Sequence, residues 1–287
     1  MIAILKHELR AYFHTLTAYV FGAFLLAVIG FGALLYNIQA AVSNFEFVLG
    51  FAGMVFIVIV PILTMRVIAE EKRQKTDQLL YALPVSTTQI VAGKYLALLV
   101  IYLLPLGVVA LYPLLFAQFG ELSLMTAYGA LVAFFLAGAA LIALGMFLSS
   151  LTENQGMAAG IGIAAILFNY YSVSLAEQIS STAFGSVVVI LAAICGLYCL
   201  IDHLLKNSRL AMAVSLVLMV ITAVSFVISA ESFEGLVPRI VAGLSIFARL
   251  DTFISGMFDL TGVVYFLSFG GFFLFLTVQS LEKKRYN

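Results

Sequence analysis

The stretch RVIAEEKRQKTDQLLYALPVSTTQIVAGKYL, from Arg66 to Leu96, separates two long apolar runs and concentrates charge between them. Seven of the twelve residues from Arg66 to Asp77 are charged, against 10% of the whole chain. Hydrophobic residues make up 64% of the chain, and the mean hydropathy is +1.16. A soluble domain is about 45–50% apolar and about 25% charged. The composition therefore predicts an all-α, polytopic membrane helical bundle in which this stretch is a loop in water.

Membrane spans can be placed by looking for about 20 mostly apolar residues between polar boundaries. The pattern predicts about eight spans, at 17–37, 47–66, 89–117, 124–148, 156–175, 184–202, 210–230 and 262–281. Of the 14 Lys and Arg residues, all but Arg239 and Arg249 fall on one side of this arrangement. Because Lys and Arg favour the cytoplasmic side, we expect both termini in the cytoplasm.

The segment 1–16 has the pattern of an amphipathic helix. Apolar residues recur at helical spacing at Ile2, Leu5, Leu9, Phe13 and Leu16. Lys6, His7, Arg10 and His14 occupy the opposite face. This pattern predicts a helix that lies in the cytoplasmic interface, and the alternative is a cytoplasmic extension of the first span.

The segment 231–261 is longer than the other predicted external loops and has apolar residues at helical spacing. It predicts two short amphipathic helices at the outer membrane surface, with a plain ordered loop as the alternative. Inside the fifth span, Asn169 requires a polar partner. Structural hydrogen bonding and the lining of a substrate path both remain open for this side chain.

The charged stretch contains start and stop signals for several short helices. Arg66 to Lys75 is expected to continue the second span as a helix, and Thr76-Asp77-Gln78 offers a new helix start. Pro84 is expected to end that short helix, and Ser86 with Gln89 fits a capping box for the third span. Lys94 follows one or two turns later, where its ammonium is expected to reach back to the membrane interface.

Motifs for catalysis are absent from the sequence. It contains neither the phosphate-binding pattern GxxxxGK[ST] nor the nucleophile pattern GxSxG, and its three histidines do not cluster with carboxylates at metal-ligand spacing. A net charge of zero without a basic, aromatic-rich patch argues against nucleic-acid binding. We therefore expect a protein that is not an enzyme and that holds no cofactor.

Three segments carry a resemblance to a known family. The string Arg66…Glu70-Glu71-Lys72-Arg73…Thr76-Asp77-Gln78-Leu79-Leu80…Leu83-Pro84-Val85-Ser86…Gly93-Lys94-Tyr95 resembles the cytoplasmic loop of type-2 ABC transporter permeases. The opening MIAILKHELRAYFHTLTAYVFGAFL and the ending from Ser245 to Asn287 look like the gliding-motility-type subgroup. That family usually has six spans, so the two further spans predicted between 176 and 244 are a departure.

The resemblance implies a single permease domain, 1–287, in the cell membrane of a prokaryote. The segment 1–16 would be an elbow helix, and 66–88 would be a cytoplasmic coupling loop. Residues expected to contact a separate ATPase subunit are Glu70, Glu71, Arg73, Thr76, Asp77, Leu79, Leu80, Leu83 and Pro84. A smaller second contact would involve Thr152, Glu153 and Asn154.

The implied partners are ABC ATPase subunits, which would bind ATP and Mg²⁺, and a second permease copy or paralogue. A companion membrane protein with an extracytoplasmic domain is a further expected partner, beside the lipid bilayer. The implied function is the permease subunit of an exporter. Two alternatives from other classes are a self-contained secondary transporter or channel, and a membrane scaffold that transports nothing. A secondary transporter is expected to carry ionisable residues in mid-span, and the predicted spans have almost none.

Overall fold

The computed structural model describes residues 1–76, 85–119, 121–179, 181–205 and 208–286. All regular secondary structure in these ranges is helical, which confirms the predicted all-α class. The α-helices are α1 (Ile2–His14), α2 (Leu16–Ala33), α3 (Glu46–Gly53), α4 (Phe56–Thr64), α5 (Ala69–Gln74), α6 (Thr87–Val109), α7 (Tyr112–Phe116), α8 (Leu124–Leu151), α9 (Gln155–Gln178), α10 (Ala183–Leu205), α11 (Ser208–Ile228), α12 (Leu236–Gly243), α13 (Ile246–Ile254) and α14 (Leu260–Tyr286). A π-helical turn, Leu34–Gln39, extends α2, and a 3₁₀ turn, Ala230–Phe233, precedes α12.

Several of these helices are long and apolar enough to cross a bilayer. Within the described ranges there are five, namely Leu16–Gln39, Thr87–Phe116, Leu124–Leu151, Gln155–Gln178 and Leu260–Lys283. Two bent pairs raise the number to seven if each is one span: Glu46–Gly53 with Phe56–Gln74, and Ser215–Phe226 with Glu231–Gly243. The chain is thus a multi-pass membrane protein. Helices α10 and α11 lie where the sixth and seventh spans were predicted, and the number of eight stays a prediction.

The chain divides into two compact units, Met1–Tyr170 with Ile246–Asn287, and Tyr171–Ser245. In the first unit α8 is the central helix, and it packs against α3, α4, α6, α13 and α14. Ala133 and Ala137 on this helix are completely buried. Tyr102 from α6 lies over Gly138, and its hydroxyl donates to the carbonyl of Phe134 at 2.8 Å. Small side chains on α8 therefore let neighbouring helices approach closely.

Asn169 has a structural role in the first unit. Its Oδ1 accepts a 2.9 Å hydrogen bond from the backbone N–H of Ile246, the first residue of α13. That N–H has no partner within its own helix, so the side chain of α9 caps α13. Of the two interpretations of Asn169, the structure supports hydrogen bonding.

Both short helices predicted within 231–261 are present, as α12 and α13. The apolar face of α13 is buried in the first unit, where Phe247 contacts Tyr170 and Phe253 contacts Phe266. In the second unit, α10 packs along α11, and the N–H of Gly235 donates to the carbonyl of Ser181 at 2.8 Å. Gly235 has a φ of +64°, a left-handed conformation that glycine adopts without strain.

Candidate functional site

The second span is interrupted where it enters the charged segment, Arg66–Thr76. Helix α4 ends at Thr64, the chain turns, and α5 begins at Ala69, so the helix expected from Arg66 to Lys75 is present only from Ala69 to Gln74. The hydroxyl of Ser149 on α8 accepts hydrogen bonds from the N–H groups of Ile68 and Ala69 at 3.3 and 3.1 Å. It also donates to the carbonyl of Met65 at 3.2 Å. A single side chain from another helix thus supports the break in the backbone.

Lys94, in the first turns of α6, lies at the centre of a buried ionic cluster. Its Nζ is 2.6 Å from Oε1 of Glu8 on α1 and 2.6 Å from Oε1 of Glu71 on α5. It also donates to the carbonyl of Val67 at 3.2 Å. We call Lys94, Glu8 and Glu71 the lysine junction. The Lys94 side chain is 2% exposed, so the expectation that its ammonium reaches the membrane interface is wrong: two carboxylates satisfy it inside the chain.

Helix α1 is attached to the bundle by more than the lysine junction. The hydroxyl of Tyr12 donates to the carbonyl of Leu63 at 3.2 Å. Burial, with a contribution from nearby Glu8, raises the pKa of Tyr12 well above its ordinary value, so the hydroxyl keeps its proton. At Gly93 a Cβ atom would lie 3.0 Å from Ile4, which shows how closely α1 and α6 approach.

The apolar stripe predicted over 1–16 is exposed at its two ends. Ile2 is 64% exposed and Leu16 is 78% exposed, and Phe13 is also exposed. Glu8 and Tyr12, the buried residues of α1, lie on a different face, whereas Leu9 of the stripe is half-buried and packs on the core. An exposed apolar stripe beside the polar face of the same helix is the arrangement that an interfacial helix requires.

Arg66 and Glu70 form a second ion pair in the charged segment. The guanidinium donates to both carboxylate oxygens of Glu70, at 2.8 and 3.3 Å, and to the hydroxyl of Thr17 on α2 at 3.1 Å. Gln74 donates to Glu70 at 3.1 Å from one turn further along α5. This pair is partly exposed, so its main effect is to orient α5 relative to α2.

Helix α5, in the described part of the first predicted contact region, lies at the same end of the first unit as the second predicted contact. Lys72 on α5 is buried, and its ammonium donates to the carbonyl of Ser150 in the last turn of α8. A cation there interacts favourably with the carboxyl end of the helix. The turn that holds Thr152, Glu153 and Asn154 follows directly.

That turn is itself ordered by its own side chains. The Thr152 hydroxyl accepts from the N–H of Asn154 at 3.1 Å, and Asn154 Oδ1 accepts from the N–H groups of Gly156 and Met157 at 2.9 and 3.4 Å. Glu153 and Asn154 are exposed. The turn therefore presents side chains to the surroundings from a fixed backbone.

The remaining predicted site residues fall into two groups. Arg73 is exposed on α5, and the Thr76 hydroxyl donates to the carbonyl of Glu71 at 3.4 Å. Asp77, Leu79, Leu80, Leu83 and Pro84 lie outside the described residues. On the far side of that interval, the Ser86 hydroxyl accepts from the N–H of Gln89 at 3.3 Å, which confirms the predicted cap of α6.

A cavity of about 860 Å³ lies between α1 and the charged segment. Ala3, Ile4 and Ala11 supply part of its apolar wall, and Glu8 and Glu70 are among its polar residues. In the part of the chain that the structure describes, no group of three or more His, Cys, Asp or Glu side chains could hold a metal ion. The cavity therefore separates α1 from the charged segment, and Glu8 and Glu71 of the lysine junction both line it.

Sequence reasoning missed Glu8, Lys72, Ser149 and Ser150. Glu8 is the one acidic residue in an otherwise basic segment 1–16, and it is four residues from both Ile4 and Tyr12. That spacing places it on a third face of α1, neither the apolar stripe nor the basic face, and this was the available signal. Ser149 offers no comparable signal, because a serine near a helix end is common.

One comparison with known proteins returned a match. A family model described as ABC-2 family transporter protein matches residues 35–228, about two thirds of the chain. The matched range includes the charged segment and Lys94, whereas α1, α13 and α14 lie outside it. No curated protein matches the chain.

Proposed function

The chain belongs to the ABC-2 family of transporter proteins and is a membrane permease component of an ABC transporter, and we propose that ATPase subunits on separate chains drive it through the charged segment and the residues that follow. ATP and Mg²⁺ would bind to those subunits, and this chain would supply the membrane path. Movement made by the ATPase would then pass to the membrane helices as rigid-body displacement.

The observation that carries this proposal is the way in which the charged segment is held. Glu71 is tied to α1 and α6 by Lys94, Lys72 to the end of α8, and Arg66 to α2. A loop that only connected two spans would not require attachments to four other helices. A segment that receives force from a partner does require them, because the displacement must reach the bundle without being lost in the loop.

The proposed contact surface follows from this arrangement. Glu70, Glu71 and Arg73 form the polar approach, and the range 76–83 with Pro84 forms the coupling helix that enters the ATPase. Thr152, Glu153 and Asn154 form the second contact. Helix α5 contacts the end of α8 that precedes the second contact, which supports simultaneous docking on one partner surface.

The remaining parts of the proposal concern the assembly. Two permease chains, identical or paralogous, would pair to form an exporter in a prokaryotic cell membrane, with both termini in the cytoplasm and eight spans per chain. Helix α1 would be the interfacial elbow helix, supported by the exposed apolar side chains of Ile2 and Phe13. The resemblance of both chain ends to the gliding-motility-type subgroup supports placement there.

A companion membrane protein with an extracytoplasmic domain would dock on the exposed side of the segment 231–261. Phe247 and Phe253 are buried in the chain's own core and are unsuitable anchors for such a partner. Ile240 and Leu244 are exposed at 56% and 47% and are the better positions for crosslinking.

The test of the coupling assignment is co-purification with the ATPase encoded nearby. The Leu79→Asp/Leu80→Asp double variant is expected to lose binding and to lose the effect of the permease on ATPase activity. Phe119→Asp is the matched control, because Phe119 is 87% exposed on a predicted external loop. If the double variant binds and couples as well as the control, the coupling assignment is wrong.

Transport in sealed vesicles separates the proposal from its alternatives. Vesicles that contain this chain and its ATPase are expected to move substrate only when ATP is present on the ATPase side. ATP-independent movement driven by an ion gradient would indicate a secondary transporter or channel, and no movement under any condition would indicate a scaffold.

A further inference from the structure

The lysine junction joins three elements that are distant in the sequence. Lys94 lies 86 residues from Glu8 and 23 residues from Glu71, and each contact is 2.6 Å. Stability alone does not explain charges at this position, since well-packed apolar residues at a buried site often stabilise a protein as much as an ion pair does, or more. The cost of desolvating an ammonium and a carboxylate suggests that the ions do something that apolar packing would not.

The geometry of the Lys94 ammonium indicates what these charges do. An ammonium has three donors, and here they reach Glu8 on α1, Glu71 on α5 and the carbonyl of Val67 before α5. Two carboxylates are held close to the same cation, and without it they would repel each other. Lys94 therefore keeps α1 and α5 in a fixed relation to α6.

The cavity shows what this fixed relation prevents. About 860 Å³ of space separates α1 from the charged segment, with Glu8 and Glu71 both at its boundary. Packed helices transmit displacement, but a cavity lets one wall move without the other. A displacement of α5 would therefore be absorbed in this space unless a direct link crossed it.

We propose that Lys94 is a positioning residue that makes α1 and α5 move with α6 as one body when the ATPase displaces the coupling segment. The inference rests on the proposed function and adds the residue through which the displacement reaches the amino-terminal helix. Lys94 contacts neither substrate nor ATPase in this role, and it acts through Glu8 and Glu71.

The decisive variant is Glu8→Gln/Lys94→Met, which removes one positive and one negative charge. It leaves Glu71 unchanged for its proposed ATPase contact, and the Glu71 side chain is 23% exposed and therefore hydrated without Lys94. The single variant Lys94→Met is the comparison, because it leaves both carboxylates without their cation. We expect the double variant to be more stable to heat than the single variant.

Two measurements on the assembled complex test the positioning role. Spin labels at Lys6 on α1 and Gln74 on α5, in a background without the native cysteines, report the distance across the cavity. With Lys94 and Glu8 present, this distance is expected to be the same with and without ATP. In the double variant it is expected to shift or broaden when ATP binds, and stimulation of ATPase activity by the permease is expected to fall about 5-fold or more.

The outcomes separate this inference from the proposed function. If the parent chain neither binds the ATPase nor changes its activity, the proposed function fails. If the parent couples and the double variant matches it in label distance and in stimulation, Lys94 is not a positioning residue, although the proposed function stands. A double variant that cannot be assembled with the ATPase would assign the lysine junction to folding and would also overturn the inference.

Discussion

Helices α4 and α8 approach closely at Gly145, and a substitution at this glycine tests the packing that precedes the charged segment. An alanine Cβ at Gly145 would lie 2.9 Å from Cβ of Thr64 and 3.0 Å from its Cγ2, and it would overlap Oγ1 as well. Thr64 is buried, and its hydroxyl donates to the carbonyl of Val60 at 2.9 Å, so the side chain is not free to rotate away. Gly145→Ala should therefore force α4 and α8 apart.

The magnitude follows from two opposing terms. Overpacking of a well-filled interior costs about 1–3 kcal/mol. Replacing glycine by alanine within a helix contributes about 0.8–1 kcal/mol in the stabilising direction. Gly160→Ala in α9 is the matched control, because no atom lies within 4 Å of its added Cβ. Since both variants share the propensity gain, their difference isolates the overpacking, about 1–3 kcal/mol.

The assay is thermal unfolding of the detergent-purified chain, followed by loss of the monodisperse peak in size-exclusion chromatography. Gly145→Ala is expected to unfold at a lower temperature than Gly160→Ala. Adding Thr64→Ala removes Oγ1 and Cγ2, so the two substitutions together should be less harmful than the sum of their separate effects. If Gly145→Ala is as stable as Gly160→Ala, α4 and α8 do not pack as closely at Gly145 as the structure shows.

Two further predictions concern the charged segment itself. Ser149→Ala removes the acceptor for the N–H groups of Ile68 and Ala69 and should cost about 1–3 kcal/mol, with faster hydrogen exchange at those amides. Ser150→Ala is its control, since that hydroxyl bonds only within its own helix, and equal exchange in both variants would contradict the assignment. Lys75 has a φ of +57°, a conformation that costs an L-residue about 1–2 kcal/mol. Lys75→Gly should therefore unfold at a higher temperature than Lys75→Val, and the reverse order would contradict this backbone conformation.

Features set by local sequence were predictable. The span in α8 follows from a long apolar run, and the cap at Ser86 follows from a serine and a glutamine three positions apart. The break after Thr64 was not predictable, because nothing between Met65 and Ile68 encodes it. The partner that accommodates it, the hydroxyl of Ser149, is 80 or more residues away and accepts hydrogen bonds from the amides of Ile68 and Ala69.

The lysine junction could not be predicted from the sequence for a different reason. An amphipathic pattern distinguishes two environments, and charged residues on such a helix are assigned to water. Helix α1 has three faces, because it meets the bundle as well as a polar and an apolar surrounding, and the face on the bundle carries Glu8. A buried carboxylate can be recognised only together with its cation, and Lys94 is itself in an apolar run where the reasonable expectation is a side chain that extends to the interface. Each charge is misassigned alone, and only the fold that brings α1, α5 and α6 together shows that they satisfy each other.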